Sequence, residues 1–195
     1  MRPSTHKFEE RIVEMTVRTT TRTAPATQDT QDAPANRAGQ DGWPGWAGDL
    51  ELRTDLPTRR LPVKWVIVID GDLPRGLQAN AAACLAASAG GAVPAILGPS
   101  GTDASGRAHA GLPWIGCTVL AAPGETIRRV RDEAAGEAEL VVTDMAAIAQ
   151  RTNVYDEYLA GLARTASADL AYYAVSLLGP RAVVERLTGR LPLLR

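Results

Sequence analysis

Lys64-Trp65-Val66-Ile67-Val68-Ile69-Asp70-Gly71-Asp72-Leu73-Pro74-Arg75-Gly76, followed by the alanine-rich stretch 77–89, is the part of the chain whose reading decides the fold. Residues 65–69 form a near-continuous, mostly β-branched run, the pattern of a strand covered on both faces. Two acids, two glycines and a proline then turn the chain. Residues 77–89 read as a helix whose alanines allow close approach to a sheet, and Gly90-Gly91 suits its end. In open α/β sheets ligands bind beyond the carboxyl ends of strands, so the segment from Asp70 to Asn80 is the first candidate for a site.

Moving outward, strand-like and helix-like segments alternate. Residues 93–97 read as a short edge strand, because Pro94 cannot donate to a central ladder. Residues 98–112 read as a polar loop and 114–121 as a second buried strand. Residues 124–135 predict a helix with Ile127, Val130 and Ala134 inward and its arginines and acids on a solvated exterior. Residues 140–143 form a third strand ended by Asp144. One or two helices follow over 145–163, with Tyr155, Tyr158, Leu159 and Leu162 as an apolar stripe. A fourth strand over 170–178 leads through Gly179-Pro180 into a helix that ends at Gly189. Residues 191–194 could pair at a sheet edge. The expectation is an α/β domain over 61–195, with a mixed four- to five-stranded sheet packed with helices.

Residues 1–60 differ. Residues 16–45 are rich in Thr, Ala, Gln, Asp, Pro and Gly with few aliphatics. Such a composition predicts a largely disordered N-terminal extension. Residues 7–17 carry a short apolar periodicity (Phe8, Ile12, Met15). Trp43 and Trp46 read either as cover for exposed apolar surface or as a docking segment. The net charge of the 195-residue chain is −1, and the part from Leu61 onward is close to neutral too, which is not the footprint of a nucleic-acid binder. No apolar run approaches the roughly 18 residues of a membrane span, and the N-terminus lacks the apolar centre of a secretory signal. A cytoplasmic protein without membrane contact is expected. Cys84 and Cys117 are expected to be buried apolar residues.

Three polar clusters could carry chemistry. The first is Asp70, Asp72, Gly76 and Asn80 at the strand-to-helix turn. The second is the loop Gly98 to His109, where Asp103, Ser105 and Gly106 either hold a turn or contact a ligand, and where His109 is the domain's only histidine. The third is Asp144 with Arg151 and Thr152; Asp144 either caps a helix or orients a ligand. The residues predict no metal site and no cofactor, since one histidine and no paired cysteines leave only scattered carboxylates. They contain no phosphate-binding glycine loop.

The strand at Lys64, the turn Asp72 to Gly76 and the helix start Gln78-Ala79-Asn80-Ala81 resemble the opening of type II peptidyl-tRNA hydrolases. The ending Leu178-Gly179-Pro180, Leu187-Thr188-Gly189 and Leu191-Pro192-Leu193-Leu194 resembles theirs too. Over the same region the chain is similar to an uncharacterised, mostly bacterial family, domain of unknown function 2000. That similarity lies at Asn80-Ala81-Ala82, Leu97-Gly98, Asp103-Ala104-Ser105-Gly106 and His109. The resemblance implies a peptidyl-tRNA hydrolase II-like fold over 61–195. The activity transfers less well. The hydrolases have a Gly-Lys step where this chain has Gly76-Leu77, and the domain's one lysine, Lys64, stands at the start of the strand. Their strand-end aspartate corresponds to Asp144, but without its Asp-Ala-Gly-Arg-Thr context.

The expected function is binding of a small polar ligand between the 72–80 turn, the 103–109 loop and Asp144. Hydrolysis would use Asp144 or His109 as base and the Asn80 amide to polarise a carbonyl. The alternative is a non-catalytic binding or assembly module, such as a homodimer.

Overall fold

A computed structural model describes residues 44–195. Expectations for residues 1–43, including the 7–17 periodicity and Trp43, lie outside the described residues. The central strand β1 (Val63–Asp70) is the quoted β-branched run. It pairs in parallel with β4 (Thr118–Ala122) and antiparallel with β6 (Tyr172–Pro180), and β6 pairs antiparallel with β5 (Val141–Ala146). The strand order is therefore β4-β1-β6-β5, with β5 at one edge. At the other edge residues 192–194 add a short antiparallel segment. The Ala121 N–H donates to the Pro192 carbonyl and the Leu194 N–H to that of Val119. The expected C-terminal edge pairing is thus present.

Alternation along β1 divides the core. Val63, Trp65, Ile67 and Ile69 face α1 (Arg75–Ala92), which buries Ala81, Leu85 and Ala89. Those three recur every fourth residue, and the two alanines let the helix axis lie close to the sheet. Val66 and Val68 face the opposite layer, made by α2 (Gly124–Ala135) and α4 (Arg181–Thr188). The sheet is thus covered on both faces, as the unbroken apolar run required. Trp65 and Ser176 are the buried polar pair of the α1 face: the indole N–H donates to the Ser176 hydroxyl at 2.9 Å. None of the described helices is long and apolar enough to cross a membrane.

The boundaries shift from expectation in several places; α1 runs on through Gly90-Gly91 to Ala92, and β6 takes in Gly179-Pro180 instead of stopping at residue 178. Residues 93–97 form no strand; a 3₁₀ turn spans Pro94–Ile96, and Leu97 makes one bridge to Pro113. β4 starts four residues late, because Gly116 adopts φ +68° and interrupts the extended run before it. Asp144 lies inside β5 instead of ending it, so it caps no helix. Of the one or two helices expected over 145–163, residues 145–146 belong to β5, and a 3₁₀ turn, Ala147–Gln150, and α3 (Tyr155–Arg164) follow. Lastly, residues 44–60 pack on the domain, so the folded part begins before residue 61. Ala47 is buried against the α1 face with Trp46, Leu50 and Leu56 beside it. The Trp46 indole N–H donates to the Glu139 carbonyl at 2.8 Å, and Arg181 donates to the Thr58 and Leu61 carbonyls. The composition of the segment is loop-like, but a few apolar anchors hold it.

Candidate functional site

β1 and β5 both run antiparallel to β6, so their carboxyl ends lie at the same end of the sheet. α1 starts there, and the chain leaving β5 turns through Ala147–Gln150 into α3 at that end. Between α1 and this segment, along the open edge of β5, lies a cavity of about 450 Å³. Asn80, Cys84 and Ser88 line it from α1, every fourth residue on one helix face. Asp144 and Met145 line it from β5, and Thr152, Val154, Tyr155 and Tyr158 from the far side. Asn80 and Asp144, two of the three expected catalytic residues, therefore share one wall-to-wall hollow although 64 positions separate them.

Each of the two is held on one side only. The Asn80 Oδ1 accepts from the Gln150 Nε2 at 2.5 Å and from the Cys84 thiol at 3.8 Å. The Asp144 Oδ2 accepts from the Arg131 Nε at 3.1 Å. The Arg131 guanidinium also lies over the Tyr172 ring, 5.4 Å from its centroid. Desolvation is the largest influence on Arg131 and works against its charge, but the bond to Asp144 and the nearby Tyr172, Asp144 and Asp132 together outweigh it, so the guanidinium is raised further. Burial pushes the Tyr158 phenol above its ordinary value, and the negative charge of Asp144 adds to this. Tyr158 is therefore a neutral donor at physiological pH. Tyr155 stands 5.6 Å from Tyr158, ring centroid to ring centroid, with the planes tilted by 56°.

The 98–109 loop is elsewhere. It forms a small hairpin of β2 (Gly101–Thr102) and β3 (Ala108–His109), and none of its residues lines the cavity. The reason is topological. β4 runs parallel to β1, so the chain must return to the amino end of the sheet before β4 begins, and the hairpin hangs on that return. The expected meeting of Asp103, Ser105, Gly106 and His109 with Asn80 and Asp144 does not occur. Within the hairpin the roles are local. The Asp103 Oδ1 accepts from the Ser105 and Arg107 N–H groups at 2.8 and 2.9 Å, and Oδ2 lies 3.4 Å from the His109 Nε2. Those backbone donors hold the Asp103 carboxyl below the usual carboxylate range, with His109 adding a smaller contribution. Gly106 adopts φ +82°, which closes the turn.

Asp72 and Gly76 also stay outside the cavity. The turn is held by Asp70, whose Oδ1 accepts from the Asp72 N–H at 3.0 Å, and by the Gln78 amide, which donates to the Gly71 carbonyl at 3.1 Å. Arg75 and Gln78 face a second hollow of about 350 Å³, floored by Ile69 and Val119. Cys84 and Cys117 are both exposed, not buried as expected. Cys84 lies on α1 beside the buried Leu85, and Cys117 lies in the segment just before β4. Surrounding protein still desolvates the Cys117 thiol and pushes it up to about 12. Among the described residues no three His, Cys, Asp or Glu side chains gather as metal ligands would.

Arg131, Gln150 and Tyr158 complete the site; from sequence Arg131 was expected on a solvated exterior and Tyr158 only in an apolar stripe, and Gln150 was not singled out. For Arg131 the signal existed: with Ile127, Val130 and Ala134 it fills the i, i+3, i+4, i+7 stripe of α2, so it points inward with the apolar residues. The apolar stripe of α3 splits. Tyr158 and Leu162 pack against the core, while Tyr155 and Leu159 are 72% and 47% exposed.

The family assignment follows residues 63–195, which match the family described as protein of unknown function (DUF2000). The chain belongs to the DUF2000 family. Its fold is similar to that of a protein of unknown function from Agrobacterium tumefaciens strain C58, with a TM-score of 0.64 and 16% sequence identity, covering 68% of this chain and 98% of that one. No curated protein matches the chain. The family match begins at the first residue of β1, so the packed segment 44–60 lies outside it.

Proposed function

We propose that this DUF2000 protein binds a small polar ligand that carries no negative charge, in the cavity between α1 and α3. One observation carries the reading: among the described residues Asp144 is the sole charged side chain lining that cavity, and it faces Asn80, Thr152 and Tyr158 across apolar walls from Leu85, Met145 and Val154. A phosphate or carboxylate brought there would meet Asp144 and no cation other than Arg131, which is already engaged with it. Asn80 and Asp144 are the contacts retained from the sequence reading; His109 and its hairpin take no part. The terminal motifs around Leu178-Gly179-Pro180 support a peptidyl-tRNA hydrolase II-like fold. They do not extend to that activity. Lys64, the lysine of the domain, pairs with Glu185 at 3.3 Å at the amino end of β1, away from the cavity.

The test is a thermal-shift screen of the full chain against uncharged amides and sugars, amines, carboxylates and phosphates. Stabilisation by uncharged or cationic compounds is expected, and Ser88→Trp should abolish it by filling the cavity from an exposed helix position. Stabilisation by anions alone, or stabilisation indifferent to Ser88→Trp, overturns the proposal.

A second reading, assembly through α3, is favoured by the exposed apolar face of Val154, Tyr155 and Leu159. Light scattering decides it. A monomer at high concentration rules it out, and a dimer dispersed by Leu159→Ser supports it.

A further inference from the structure

We propose that the ligand presents a primary carboxamide to this cavity, its carbonyl accepting from the Asn80 Nδ2 and its N–H group donating to the Asp144 Oδ1. The inference rests on the cavity being the binding site and adds the chemical class that it takes. It follows from which valences the protein has already used. The Gln150 amide and the Cys84 thiol both donate to the Asn80 Oδ1, so the side-chain orientation is set and the Nδ2 end is left over. The Arg131 Nε takes Oδ2 of Asp144. Among the described residues, neither the Asn80 Nδ2 nor the Asp144 Oδ1 has a hydrogen-bond partner.

A donor on one wall and an acceptor on the other match a group that offers an acceptor and a donor from two atoms on one carbon, which is what a carboxamide does. An ester offers the acceptor alone. A carboxylate offers two acceptors and a charge that Asp144 opposes. The remainder of such a ligand would lie along Leu85, Met145 and the tyrosine pair, where apolar surface is available.

Cys84 supplies the readout, because it lines the same cavity and its sulfur contacts Asn80. Three alkylating agents share the iodomethyl-carbonyl unit and differ in what the carbonyl carries: an amino group in iodoacetamide, an oxyanion in iodoacetate, and a methoxy group, one carbon larger, in methyl iodoacetate. In each case the Cys84 sulfur attacks the methylene carbon, a C–S bond forms, the C–I bond breaks, iodide leaves with the electron pair, and the thiol proton passes to buffer. Rates at Cys84 of the full-length protein are measured by peptide mass spectrometry and divided by the rate of the same agent with glutathione.

The expected result is a normalised rate at least about tenfold higher for iodoacetamide than for either other agent, and slowed by excess propionamide. Asn80→Asp, which exchanges the donor for an acceptor at the same size, should bring the iodoacetamide and methyl iodoacetate rates within about twofold of each other, and Asp144→Asn should do the same. Equal normalised rates for iodoacetamide and methyl iodoacetate in the wild type overturn the carboxamide assignment. If a compound found by thermal shift nevertheless protects Cys84, the cavity reading stands while the ligand class falls. If no stabilising compound protects Cys84, the cavity reading falls as well.

Discussion

Trp46→Ala tests whether residues 44–60, whose composition reads as an unstructured extension, are part of the folded domain. The Trp46 side chain is half-buried against the α1-side core and donates to the Glu139 carbonyl just before β5. Truncating a fully buried aromatic to alanine costs about 3–5 kcal/mol, so a half-buried one should cost about 2 kcal/mol. Loss of the indole hydrogen bond adds about 1 kcal/mol. Together, about 3 kcal/mol should lower Tm by about 6–12 °C for a domain of this size. Trp46→Phe separates the two contributions, since it keeps most of the apolar contact and loses the donor; about 1 kcal/mol is expected. The assay is urea unfolding of the full chain followed by far-UV circular dichroism, which is independent of the tryptophan removed. A Trp46→Ala midpoint within about 0.5 kcal/mol of wild type, the range of an ordinary surface change, would refute the claim that this segment is anchored.

Other outcomes follow from single contacts. Trp65→Phe should destabilise by about 1–3 kcal/mol, because it leaves the buried Ser176 hydroxyl without its donor; in a double-mutant cycle with Ser176→Ala, strictly additive costs would disprove the coupling. Arg131→Met should cost about 1 kcal/mol, a value kept low because both partners are partly solvated, and Arg131→Lys should recover only part of it. The Asp103 carboxyl is held below its ordinary value by the Ser105 and Arg107 N–H groups, so its support of the hairpin is complete above the ordinary carboxylate range. That support is lost as pH falls through the depressed value. The Ser105 and Arg107 amide signals should therefore shift together in acid by NMR, and Asp103→Asn should remove the titration; amides that do not move would contradict the assignment.

Much of the fold was legible in sequence because it depends on local period and local hydrogen bonding. The β-branched run 65–69 had to be covered on both faces and is, as β1. The span of α2, Gly124–Ala135, could be read from its amphipathic period. The end of α4 at Gly189 and the edge pairing of 192–194 were equally readable. Asn80 stood out as a lone amide among alanines, and Asp144 as an acid at the expected end of a strand; both line the cavity.

Tertiary structure alone decided the rest. Periodicity tells which face of an element is apolar, but not at which end of the sheet a loop will lie. That depends on β1 and β4 being parallel, which carries the 98–109 hairpin back to the amino end and separates His109 from Asn80 and Asp144. Likewise, a charged residue within an apolar stripe is ambiguous until its neighbour is known. Arg131 points inward because Asp144 of β5 is there to meet it, 13 positions away in the chain. The few anchors of residues 44–60 gain their value only from the α1-side core, the Glu139 carbonyl and Arg181 of α4, since a hydrogen bond or a contact counts only when the far partner is in place.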